Sequence, residues 1–359
     1  MSNLNSFIPS DIPIGTILDM INIPSDGKYL HVGSLVSRAS YPELSTAFPH
    51  PKMSGPGGGS DVWIQRTTPL AANWFVCYGN GLFVAAGGSS NNIAITSPDG
   101  ITWTQRTLPA TANWSCVNYG NGIFVALAYS SANIATSTDG ITWTQRTLPT
   151  LYTTANYSVC YGNGLFVAMG SSFNSQYATS PDGITWTART MPSNANWATV
   201  VYGNGLFIAI GGSSSIATST DGITWTQRSL PVSAIWISLC YGNGLFVAIS
   251  NNNTISITSP DGITWTQGTL PVSAGWRSVS YGNGLFVAVA SNTNIAVTST
   301  DGITWIQRTL PVTTFWYSIC YGNKLFVTLD NTTISATMSV GDSTVMKLGS
   351  GSGYMKVKN

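Results

Sequence analysis

The chain has 359 residues, of which 8% are charged and 43% hydrophobic, and its formal net charge is +1. So little charge supplies no basic field for nucleic acid or an anionic membrane, and no apolar run approaches the roughly eighteen residues of a membrane span. Residues 1–10 carry neither a basic nor an apolar leader segment, so the expectation is synthesis in a cytoplasm and delivery elsewhere by another route.

The first elements occupy residues 1–53. They read Ile12-Pro13-Ile14-Gly15-Thr16-Ile17-Leu18, then Pro24, Gly27, Tyr29-Leu30 and Gly33, then Ser37-Arg38-Ala39, Tyr41-Pro42-Glu43-Leu44 and Phe48. This pattern resembles the tail-collar domain of phage tail fibres. A glycine-rich run, 54–60, follows as a linker. Next comes Val62-Trp63-Ile64-Gln65-Arg66-Thr67, a lone strand signal that matches a segment found later in every repeat but the last.

From residue 61 to 339 the sequence is repetitive. Tyr-Gly-Asn returns about every 40 residues, at Tyr78, Tyr119, Tyr161, Tyr202, Tyr241, Tyr281 and Tyr321. Within a repeat, Trp236 to Tyr241 predicts a first strand, and Asn243-Gly244 predicts a type I′ hairpin, whose central residues both need positive φ. Leu245 to Ile249 predicts a second strand, Ile255 to Ser259 a third, and Ile263 to Thr269 an outer strand. The last repeat breaks the hairpin rule with Asn323-Lys324 and lacks its own outer strand. Four strands per repeat of this period mark a β-propeller, and seven repeats predict seven blades. The ring is expected to close by pairing 62–67 with 333–338, which removes free sheet edges. The fold class is therefore all-β.

Six copies of Ser-(Pro/Thr)-Asp-Gly-Ile-Thr-Trp join third and fourth strands, with aspartates Asp99, Asp139, Asp182, Asp221, Asp261 and Asp301. Asp-Gly is turn chemistry, so these carboxylates read as turn caps. The element resembles the Asp-box of bacterial neuraminidase-type repeats, in which the aspartate binds backbone amides and the tryptophan packs between blades. The family pattern has one more residue before Thr-Trp, so the fine geometry of the turn is not carried over. The end of the chain, Gly351-Ser352-Gly353-Tyr354-Met355-Lys356-Val357-Lys358, is similar to the closing strand of tail-fibre proteins. On that resemblance, 340–359 completes the N-terminal domain, and the propeller is inserted between its two halves. An insert whose ends meet does not stretch its host.

Catalysis is not expected. Glycoside hydrolysis needs two carboxylates, or a tyrosine activated by one. The sole glutamate, Glu43, and both histidines, His31 and His50, lie outside the repeats, and only Asp61 and Asp330 remain there once the turns are set aside. Arg66, Arg106, Arg146, Arg189, Arg228 and Arg308 share one outer-strand position, with Gly268 in the seventh slot; Arg277 alone is on a first strand. Of five cysteines, Cys77, Cys160, Cys240 and Cys320 precede the repeat tyrosine, in a slot that also takes Asn118, Val201 or Ser280. Such a slot reads as packing rather than as disulfide or metal chemistry. No cofactor or metal is expected.

Recognition is expected where the copies differ. The loops between second and third strands, 87–92, 128–133, 170–176, 211–215, 250–254, 290–294 and 330–333, vary in length and are rich in Ser, Asn and Thr, with Tyr129 and Phe173 as aromatic exceptions. Beside them an aromatic opens each first strand: Trp74, Trp114, Tyr157, Trp197, Trp236, Trp276 and Trp316. Rings in register suit either sugar stacking or packing between blades, and the sequence leaves both open. The glycan-binding candidates are Tyr129, Phe173, Asn91, Asn92, Asn174, Asn252, Asn294, Arg277 and Trp276. The function expected is that of a non-enzymatic phage tail fibre or receptor-binding protein on the virion. Its partners would be other tail or baseplate proteins and a host surface glycan, without nucleic acid or membrane insertion. Tail-collar proteins are often trimeric, which makes a homotrimer one expectation, although no heptad is present. The alternatives are a virion structural or decoration protein, and a glycan-cleaving depolymerase.

Overall fold

The structure is a computed structural model that describes residues 63–149, 157–170 and 174–339, together with five short strands nearer the termini. The linker 54–60, Phe173, Asp61 and most of the N-terminal motif lie outside the described residues. The chain divides into two units, one of residues Met1–Asp61 and Ser339–Asn359, the other of Val62–Met338. In the first unit, Tyr354–Lys356 lies between Ile17–Leu18 and Tyr29–His31, antiparallel to both, and Val345–Lys347 pairs with Leu35–Ser37. Segments from the two ends of the chain therefore share sheets.

The second unit is all-β, with no helix among the described residues, and is built of four-stranded antiparallel blades. In one of them Trp74–Gly79, Leu82–Gly87, Asn91–Ser97 and Thr104–Ala112 pair in chain order. The Asn-Gly hairpins have positive φ at both positions, 49° at Asn80 and 75° at Gly81, and Lys324 is held at 63°. Second strands are buried on both faces; in Leu82–Gly87 every residue but the first is buried. That explains their near-continuous Leu-Phe-Val-Ala runs, which lack polar alternation.

The outer strands begin later than the sequence suggests. In the repeat of Trp236 the ladder opens at Thr266, and the strand continues without a break as Thr266–Gly282, the next repeat's first strand. Ile263 and Thr264 cannot join the ladder because their amides are bound to Asp261 Oδ1, each at 2.8 Å.

Each repeat meets the next through a glycine with no room for a side chain. A Cβ at Gly79 would lie 2.1 Å from Tyr119 Cγ, and the same contact joins Gly120 to Tyr161, Gly162 to Tyr202, Gly203 to Tyr241, Gly242 to Tyr281 and Gly282 to Tyr321. Gly322 meets Tyr78 in the same way, last repeat against first. Each tyrosine also lies against the phenylalanine across its hairpin, as at Tyr78 and Phe83, 4.7 Å between ring centres. Ile64–Thr67 pairs antiparallel with Ile334–Ser339, in the register Thr67 to Ile334 and Ile64 to Thr337.

The five cysteines are free thiols; Cys77, Cys160, Cys240 and Cys320 are buried, and Cys116 is half-buried. The shared arginine position is structural as well. Arg106 Nε donates to Thr96 Oγ1 at 3.1 Å and Arg228 Nε to Thr218 Oγ1 at 3.0 Å, each tying an outer strand to the third.

Candidate functional site

A cavity of about 540 Å³ takes at least one residue from the first strand of every repeat: Phe75, Ser115, Ser158, Ala198, Ile237, Arg277 and Tyr317. Each directly follows the aromatic that opens its strand. The reason is local. In five of the first strands the register shifts just after the tryptophan, as between Trp276 and Ser278 or Trp316 and Ser318. A bulge adds one residue without a cross-strand partner and re-aims it. Ser115, Ala198, Ile237, Arg277 and Tyr317 are those extra residues. In the strands of Phe75 and Ser158 the ladder is regular, with Phe75 opposite Ala86 and Ser158 opposite Met169.

One step beyond the bulge, a hydroxyl ties neighbouring first strands together. Ser238 Oγ accepts from Val279 N at 3.1 Å, Ser278 Oγ from Ile319 N at 3.3 Å, and Ser318 Oγ from Val76 N at 3.0 Å. Ser318 Oγ also donates to Trp74 O at 2.9 Å. The bulged side chains thus stand on a rigid base.

The aromatics themselves are packing. Trp74, Trp114, Trp197, Trp276 and Trp316 have no exposed surface, and Trp236 has 1%. This corrects Trp276 as a glycan-binding candidate. Its ring lies among Val247, Ile249, Leu270 and Phe286, which come from its own repeat and the preceding one, and its Nε1 donates to Asn253 O at 3.1 Å. The side chain of Tyr157 lies outside the described residues.

Of the other candidates, Tyr129 and Arg277 line the cavity. Tyr129 is 39% exposed, and its amide donates to Asn113 O at 2.6 Å. Arg277 Nε donates to Ser291 Oγ at 3.3 Å, and its guanidinium carbon is 5.9 Å from the centre of the Tyr317 ring. Among the described candidates, Asn91, Asn92, Asn252 and Asn294 are not part of the cavity lining, whose asparagines are Asn73 and Asn113. Asn91 shapes its own loop, donating to Gly88 O at 2.7 Å and accepting from Ile93 N at 3.1 Å. Asn92 is exposed, Asn252 is exposed at φ 56°, and Asn294 is half-buried within Leu285–Ser299. Asn174 opens a third strand opposite Ala195; its side chain, like Phe173, lies outside the described residues.

Each of the six turn aspartates is engaged through its Oδ1. Asp139 Oδ1 accepts from Ile141 N, Thr142 N and Ser137 Oγ, each at 2.8 Å, and Ser137 Oγ in turn accepts from Gly140 N. Gly140 has φ 72° and sits against Val84 and Leu82 of the preceding repeat. The backbone amides of Thr142 and Ile141 hold the Asp139 carboxyl down at about 2, and the Thr224 amide does the same for Asp221. Asp99, Asp182, Asp261 and Asp301 are lowered too, through amide bonds of the same kind. These carboxyls are lower in the folded chain than the ordinary value near 3.9. Their contribution is therefore complete above about pH 4 and lost as pH falls through the folded values. The melting temperature should be level above about pH 5 and fall steadily from about pH 4 to 2. Asn in place of both Asp139 and Asp221 should make that fall shallower.

Asp330 is wholly buried and closes its own loop, accepting from Thr332 N at 2.8 Å, Thr332 Oγ1 at 2.6 Å, Thr314 Oγ1 at 2.7 Å and Ile334 N at 3.1 Å. Burial pushes the Cys116 thiol at the cavity up to about 11, so it is not a thiolate at neutral pH. Phe75, Ser115, Ile237 and Tyr317 were not among the sequence candidates. Their signal was present, because the residue after the repeat aromatic is the most varied position of the strand: Phe, Ser, Ser, Ala, Ile, Arg, Tyr.

The family described as DUF6242 beta propeller domain matches residues 152–274. No curated protein matches the sequence. Among solved structures, virginiamycin B lyase from Staphylococcus aureus superposes with a TM-score of 0.69 at 12% identity, over 77% of this chain and 99% of that one. YCF48 bound to D1 peptide gives 0.62 at 17% identity, over 82% and 99%. YCF48 from Cyanidioschyzon merolae gives 0.60 at 16% identity, over 77% and 98%. At these identities the likeness is one of fold, and with the family match and the four-stranded blades it makes the unit Val62–Met338 a β-propeller.

Proposed function

We propose that this chain is a non-enzymatic receptor-binding protein of the phage tail-fibre type. Its seven repeats close as a seven-bladed ring whose central cavity holds a host surface glycan, and its terminal unit is a collar that docks to tail or baseplate proteins. The observation that carries the binding reading is the cavity itself: every repeat contributes, and the seven residues contributed are of six types, serine alone occurring twice, while the surrounding framework stays constant. Support for closure comes from the Gly322–Tyr78 contact and the pairing of Ile64–Thr67 with Ile334–Ser339. A collar split by the propeller draws support from the sheets that join Tyr354–Lys356 and Val345–Lys347 to N-terminal strands.

The non-enzymatic reading rests on the chemistry of the lining, whose described residues include no carboxylate and no histidine. A cleaving site would need a carboxylate beside the bond, and the turn aspartates and Asp330 are already held by backbone and hydroxyl donors. Glycan contacts at one site are weak, so useful adhesion requires several copies on a particle. A virion-structural role is the second reading. It is favoured by Ile235 and Phe315, which are 62% and 40% exposed just before Trp236 and Trp316.

The test is retention of the purified chain on a panel of bacterial surface polysaccharides, with reducing ends assayed in the flow-through. Selective retention without new reducing ends, weakened by Tyr129→Ala, is the expected outcome. Absence of retention on every glycan, the host's included, would favour the structural reading, and release of reducing ends would establish a depolymerase.

A further inference from the structure

The cavity is chemically lopsided. Arg277 is the one cation among its described lining residues, and no acid accompanies it. A guanidinium carries five N–H donors in a planar fork suited to a carboxylate, and the bond to Ser291 Oγ engages only Nε. Next to the cation stands an aromatic wall. Tyr317 lies 5.9 Å from Arg277 Cζ, and Phe75 meets Tyr317 edge to face, 6.2 Å between ring centres at 71°. The third feature is an unsatisfied hydroxyl. Ser115, 8% exposed and part of the lining, has an Oγ without a hydrogen-bond partner in the protein. Buried hydroxyls are nearly always bonded, so an orphan at a cavity wall marks the place of a ligand or water.

From these observations we propose that the cavity is a subsite for a single uronate-type sugar residue. Arg277 binds its carboxylate, the Phe75–Tyr317 wall takes the apolar face of its ring, and Ser115 pairs with a ring hydroxyl. A phosphate would call for more than one cation. A carboxylate without a ring would leave the aromatic wall and Ser115 unused. The volume of about 540 Å³ lies within the usual range of small-ligand sites. The inference rests on the glycan reading above and names the class of sugar.

The experiment is titration of the full chain, followed by NMR, with glucuronate, glucose, acetate and a short N-acetylated peptide bearing a free C-terminal carboxylate. Glucuronate should bind about tenfold more tightly than glucose, as expected for one charge-assisted bidentate contact, and more tightly than acetate or the peptide. Arg277→Gln should abolish the preference over glucose, Arg277→Lys should keep part of it, and Ser115→Ala should weaken both sugars alike. Unchanged thermal melting of each variant excludes misfolding as the cause. Equal binding of glucuronate and glucose, or a preference that survives Arg277→Gln, would overturn the proposal, as would tighter binding of acetate or the peptide. Retention on polysaccharide together with indifference to uronate would remove the subsite and leave the adhesion reading intact. Failure of both would remove both.

Discussion

Gly322→Ala should destabilise the propeller by about 3 kcal/mol, the upper range for forcing an extra methyl into a packed interior. The added Cβ would fall 2.1 Å from Cγ and 2.6 Å from Cβ of Tyr78. Those atoms are at the root of the ring, so no rotamer change relieves the clash, and the first and last repeats must move apart. Gly81→Ala is the matched control. Gly81 has φ 75° with nothing within 4 Å of an added Cβ, so only the left-handed backbone penalty applies, about 1 kcal/mol. Urea denaturation of both variants measures the difference. Equal losses would mean that the contact between last and first repeats carries no load.

The second large effect separates two adjacent residues. Trp276→Ala should cost about 3–5 kcal/mol, the range for deleting a buried large aromatic. Its ring has no exposed surface and fills the space between two repeats. Arg277→Gln should change stability by no more than about 0.5 kcal/mol, because its side chain faces the cavity and makes one long bond to Ser291. Thermal melts of the two variants test this directly. If Trp276→Ala melted like the parent, the aromatic ring would not be the packing layer described above.

The contrast between Trp276 and Arg277 also shows where sequence reading succeeds and stops. The hairpins were legible because Asn-Gly is local backbone chemistry, and Asn80 and Gly81 adopt the positive φ that the pair implies. The turn role of the aspartates was legible for the same reason: Ser137, Asp139 and the amides of Ile141 and Thr142 all lie within six consecutive residues. The face of the tryptophans was not legible, since a ring in register serves a core and a sugar equally well. Both Trp74, ahead of a regular ladder, and Trp276, ahead of a bulge, are buried, so the packing face is held in either case, and the bulge shows in the sequence only as a change of spacing. Trp276 precedes its Tyr281 by five positions, whereas Trp74 precedes Tyr78 by four. That one extra residue is Arg277, turned to the cavity. The start of the outer strand was misplaced because Ile263 and Thr264, β-formers by composition, are claimed by Asp261. The loop asparagines drew attention by varying, yet Asn91 varies in service of its own loop.

Ring closure is what gives Phe75 and Tyr317 a common cavity, since they share it only if the first and last repeats are neighbours. The most direct measurement is a disulfide trap at Thr67→Cys and Ile334→Cys, Cα partners in the ladder between Ile64–Thr67 and Ile334–Ser339. Four of the five native thiols are buried and the fifth half-buried, which limits competing exchange. Oxidation should give one crosslink within a single chain and raise stability by about 2–4 kcal/mol, the usual gain from closing a long loop. Free thiols after oxidation, or crosslinks only between chains, would contradict a closed propeller and the shared cavity with it.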